Sequence, residues 1–110
     1  MTKVGEHITL DIIGTKKEYD PSFFENLIHK IAKTAKVTIL EISKYKFEPQ
    51  GFTILALLAE SHISFHTFPE KGIISFDFFT CGKINPSVAF EIIKKEIEHT
   101  RIVKKEFNRD

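Results

Sequence analysis

The chain is expected to fold as an α+β two-layer sandwich, an antiparallel sheet with two helices packed on one face in the order β-α-β-β-β-α-β. Three observations predict it. β-Branched runs recur along the 110 residues. Two segments between them carry apolar residues at helical spacing. Both segments open on a cap residue followed by proline, Asp20-Pro21 and Asn85-Pro86. The length suits one core and one domain, 1–110, and an apolar fraction of 42% with 28% charged residues is ordinary for a globular protein. Sixteen Lys plus Arg against fifteen Asp plus Glu leave a formal net charge of +1. That balance offers no basic surplus, so neither nucleic acid nor a membrane surface is expected as a partner. The single cysteine, Cys81, excludes an internal disulfide and a multi-cysteine zinc site. Without an apolar run suited to a signal peptide or long enough to span a bilayer, a cytoplasmic location is expected. Eleven Phe with no Trp are the compositional oddity.

Residues 6–13 read as a strand ended by Gly14. Asp20 then caps a helix whose Phe23, Phe24, Leu27, Ile28, Ile31 and Ala35 share one stripe and which should end near Lys36. Residues 37–46 return to β-branched composition, and Glu48-Pro49-Gln50-Gly51 is a turn. The run 52–68 is too long for an ordinary strand and changes character inside: 54–59 are apolar, whereas polar and apolar residues alternate from Ser61 onward. A break near residue 60 follows. Pro69 to Gly72 is a second turn, Ile73 to Thr80 a strand, and Val88, Ala89, Ile92, Ile93 and Ile97 form the second helical stripe before a last strand, Arg101 to Phe107. Phe65, Phe76, Phe78 and Phe79 cannot all lie under the helices, because strand neighbours face opposite ways. A second layer or a partner subunit should cover the remainder.

If Pro69 to Gly72 closes a hairpin, paired residue numbers sum to about 141 or 142, and Ser61 lies opposite Thr80 or Cys81. His66 is five residues from Ser61, about 16 Å along a strand and on the other face, so the two cannot share a proton within one straight strand. A serine hydrolase built on Ser61, His66 and Asp77 is disfavoured by that spacing and by the lack of a Gly-x-Ser-x-Gly turn. His62 and His66, roughly 13 Å apart, do not suit one zinc ion, and no metal is expected.

Glu60-Ser61-His62, His66-Thr67-Phe68-Pro69-Glu70 and Phe79-Thr80-Cys81-Gly82, with Gly5-Glu6-His7 and Lys46-Phe47-Glu48-Pro49-Gln50-Gly51, resemble the small prokaryotic S-adenosylmethionine decarboxylase proenzymes in content, order and spacing. The resemblance implies self-cleavage between Glu60 and Ser61 into a β chain, 1–60, and an α chain, 61–110. Ser61 would become a pyruvoyl group that forms a Schiff base with the substrate amine and serves in place of an external cofactor. It implies that His66 transfers a proton in processing, that Cys81 is the proton donor in decarboxylation, and that Glu70 and Phe47 bind the ribose and adenine. Thr53 stands where the family has a serine that assists processing. Phe68 stands where a Trp is common, and Lys71 where an aromatic is common. The resemblance also implies a homodimer with sites shared between protomers, and a role in supplying the aminopropyl donor for spermidine. The alternatives are an arginine or ornithine decarboxylase on the same scaffold, or a non-processing paralogue acting as a binding subunit.

Overall fold

The computed structural model describes residues 4–59 and 61–110. Its elements run β1 (Gly5–Ile13), α1 (Pro21–Ala35), β2 (Ile39–Lys46), β3 (Phe52–Leu58), β4 (Ser61–Phe68), a 3-10 turn (Pro69–Lys71), β5 (Ile73–Cys81), α2 (Val88–Glu96) and β6 (Arg101–Arg109). The six strands form one sheet in the order β2-β3-β4-β5-β1-β6, with every neighbouring pair antiparallel. The two-layer α+β class is as expected. Its strand count differs from the expected order: four strands, not three, lie between the helices. The chain reverses where the residue pattern changes, so the run 52–68 supplies two strands, and Leu58 pairs directly with Ser61.

Local chemistry sets the helix ends. The Asp20 side chain accepts the Phe23 backbone N–H at 2.9 Å, satisfying one of the donors a helix start leaves open. At the second helix the Asn85 side chain accepts the Ser87 N–H instead, and a turn at Pro86 and Ser87 leads into the α-helix at Val88. Gly51 sits at φ +90°, and a Cβ there would come within 2.9 Å of the Thr67 carbonyl oxygen, so the turn between β2 and β3 requires glycine.

Alternation along each strand then sorts the side chains between two faces. Ile8, Leu10, Ile12, Ile54, Ala56, Ile63, Phe65, Phe76 and Phe78 meet Phe24, Ile28, Ile31, Ala89 and Ile93 of the helices in one buried core. Three of the four phenylalanines expected to compete for space fit under the helices, since they lie on helix-facing positions of β4 and β5. Phe79 faces away. No helix among the described residues is long and apolar enough to cross a membrane.

Candidate active site

The sheet face that carries no helices holds most of the polar chemistry. Its register is unambiguous: His62 pairs with Phe79 and Phe68 with Ile73 across β4 and β5. The same register continued by one residue sets Ser61 against Thr80. Cys81 is the next residue along and falls, with Phe79 and Asp77, on the open face. Ser61 itself is turned to the helix side and is 7% exposed. Its Oγ is buried with no hydrogen-bond partner among the described residues, a condition that costs stability and is rare for a hydroxyl. Glu60, on the other side of the bond expected to be cut, lies outside the described residues.

The other expected site residues gather at the far end of the strands. His66 is half-buried on the open face, where Nδ1 is 2.8 Å from the Thr53 Oγ1 across the β3–β4 pair. Phe68 ends β4, Glu70 lies exposed in the 3-10 turn, and Phe47 follows β2 with its ring 4.9 Å from that of Tyr45. Ser61 to Phe68 spans the whole of β4, about 23 Å at strand rise. One chain therefore divides these residues between two ends of a sheet. A cleft of about 530 Å³ opens between the 15–21 loop, the turn before β3 and Pro69 to Gly72, but none of Ser61, His66 or Cys81 lines it.

Between the two ends lies a polar cluster that sequence reasoning missed. His7 Nε2 and His62 Nε2 approach the same Asp77 oxygen, Oδ2, at 2.8 and 3.0 Å, while the Ser64 hydroxyl donates to Oδ1. Arg109 donates to His7 Nδ1 at 3.1 Å. Burial raises the Asp77 carboxyl, but the hydrogen bonds from Ser64, His62 and His7 outweigh it and hold the group below its ordinary value. His7, His62 and Asp77 also have donor atoms close enough together for a metal ion. The Arg109 contact argues for hydrogen bonding instead: a guanidinium only donates, so His7 Nδ1 must accept, and in the neutral ring the proton then sits on Nε2, facing Asp77. The β4–β5 register alone would have shown Ser64 opposite Asp77. The sequence held no signal that β1, carrying His7, lies between β5 and β6.

The model of the S-adenosylmethionine decarboxylase family matches residues 6–110. The chain belongs to that family. It is 41% identical, over 97% of its length and 88% of the relative's, to the S-adenosylmethionine decarboxylase proenzyme of Prochlorococcus marinus strain MIT 9313. It is likewise 41% identical to the proenzyme of the same description from Methanococcus vannielii, over 76% of this chain and 70% of that one. The crystal structure of the adenosylmethionine decarboxylase from Aquifex aeolicus VF5 superimposes with a TM-score of 0.87 at 32% identity, covering 99% of this chain and 92% of that chain.

Proposed function

We propose that this protein is an S-adenosylmethionine decarboxylase that cuts itself between Glu60 and Ser61 and carries its electrophile on the new chain end. The observation that carries the reading is the Ser61 hydroxyl, buried with no hydrogen-bond partner among the described residues at the first residue after a reversal of the chain. A nucleophile there adds to the preceding carbonyl and the peptide C–N bond breaks, leaving an ester and a free amine. Loss of the residue 61 Cα proton and of the Glu60 carboxylate then leaves dehydroalanine, and water releases ammonia and leaves a pyruvoyl ketone. That group supplies an electron sink for decarboxylation of an α-amino acid.

The remaining roles follow from position. A Cα–H bond lies near the plane of a sheet, so the base that removes it need not share a face with the buried hydroxyl. His66, held by Thr53, is such a base, but it sits at the wrong end of its own chain. A second copy packed by two-fold symmetry over the open face would bring one chain's His66, Glu70 and Phe47 to the other chain's Ser61 and Cys81. It would also cover Tyr45, Leu55, Leu57, Phe68 and Phe107, which one chain leaves between 39% and 65% exposed. In this homodimer Glu70 accepts the ribose hydroxyls, Phe47 and Phe68 contact the adenine, and the Cys81 thiol returns a proton to the substrate α-carbon. The thiol needs a reducing compartment, which fits the cytoplasm, and the product is an aminopropyl donor for spermidine.

The two fragments would stay interlocked after cleavage. Residues 1–60 supply β1, β2 and β3, and β1 is paired on both sides, with β5 and β6 of residues 61–110. The test is intact mass followed by carbon dioxide release. The 12.7 kDa chain should convert to two pieces that co-purify, and should then release carbon dioxide from S-adenosylmethionine and not from arginine or ornithine. A chain that stays whole overturns the reading.

A further inference from the structure

We infer that Asp77 is a positioning residue for self-cleavage, acting through the His62 imidazole to hold the backbone of the residue bonded to Ser61; this rests on the self-cleavage proposed above. On the β5 side the ladder of β4 starts at His62, which pairs with Phe79. The side chain of that same residue reaches diagonally along β5 to Asp77, at 3.0 Å. Residue 62 is therefore gripped twice, by its backbone and by its ring, immediately beside the bond to be cut.

Asp77 is itself fixed from several directions. Ser64 holds Oδ1, and His7, held by Arg109, donates to Oδ2. The His62 ring also rests against Phe79 at 5.9 Å between centroids and meets the His7 ring edge-on at 6.0 Å. This is a well-ordered setting for a side chain that is 48% exposed. Pairs at that exposure contribute little to stability. Orientation is where such a clamp has a large effect, because a displacement of about 1 Å at a reacting group costs about 100-fold in rate. Among the described residues the Ser61 hydroxyl has no hydrogen-bond partner to aim it, so its aim depends on the backbone that follows.

The chain Arg109–His7–Asp77–His62 also joins the two products of cleavage, since His7 belongs to residues 1–60 and the other three to 61–110. It is complete only when β1 is seated between β5 and β6, which ties the clamp to a finished fold.

The experiment follows the cleavage half-time of the full-length chain by intact mass. His62→Ala and Asp77→Asn should each cleave about 10- to 100-fold more slowly than the parent. His62→Gln, whose amide N–H takes the place of Nε2–H, should recover to within about three-fold of the parent. His62→Ala placed on Ser61→Ala, which cannot cleave, should shift its melting temperature by less than about 2 °C, because the His62 side chain is 48% exposed. A parental rate for His62→Ala overturns the inference. So does a His62→Gln chain as slow as His62→Ala, or a large loss of melting temperature in the Ser61→Ala background. A parent chain that never cleaves overturns the self-cleavage reading and this inference with it, and that outcome is separate from all the others.

Discussion

The two faces of the sheet are built from the same strands and share almost nothing else. Under the helices β5 contributes Ile74, Phe76, Phe78 and Thr80, all buried; toward the open side it contributes Ser75, Asp77, Phe79 and Cys81, all half-buried. The buried core under the helices is apolar except near the start of β4, where Ser61 and Thr80 lie. The open face carries His7, His62, His66, Thr53, Ser64, Asp77 and Cys81 together with exposed aromatic and aliphatic side chains. The period of two in a strand lets one segment serve the core with alternate positions and the open face with those between. Ser61 is the informative exception, a hydroxyl set on the structural face at the first residue of β4.

The sharpest way to break this division is at that exception. Ser61→Ala should abolish cleavage altogether, and in mixed dimers a His66→Ala chain should be cut when its partner is Ser61→Ala. Absence of any cut in the mixed dimer would return both residues to one chain and defeat the shared site. On the open face, Cys81→Ala should lower turnover by about 100-fold or more while leaving self-cleavage near the parental rate; carbon dioxide release per cleaved chain measures it, and equal turnover would remove the thiol from the reaction. Comparing neighbours tests the faces directly. Phe78→Ala should cost about 3–5 kcal/mol in denaturant unfolding, whereas Phe79→Ala should cost less than half as much and instead weaken association between chains. Equal losses would erase the distinction. The smallest effect concerns acid. Because the Asp77 carboxyl is held below its ordinary value, the stability it contributes is present above about pH 4 and is lost as pH falls through the lowered folded value. Asp77→Asn should therefore flatten the acid limb of melting temperature against pH.

Much of the site was legible at the level of neighbouring residues. The hairpin around Pro69 to Gly72 can be numbered from the turn, and the observed register selects Thr80, not Cys81, as the residue opposite Ser61. The Asp20 cap likewise appears where the residues put it, and β3 ends at Leu58 and β4 starts at Ser61, on either side of the change of pattern. The one strand too few in the expected order came from treating a pattern change as a break without asking whether the chain turns back there. His7, Asp77 and Arg109 escaped because their meeting depends on a strand inserted between two others about seventy and a hundred residues away in the chain.

The sequence by itself determined which residues are apolar at which period, where helices are capped and where turns fall, and these are local effects carried by a few covalently linked neighbours. It also placed the chain in its family through motifs that survive as short strings. Only the tertiary structure decided which face of the sheet the helices cover, and that β1, set between β5 and β6, closes the Asp77 cluster. Those facts depend on which strands become neighbours, and neighbour choice in a sheet is settled by burying the whole apolar face at once and not by any one segment's own preference.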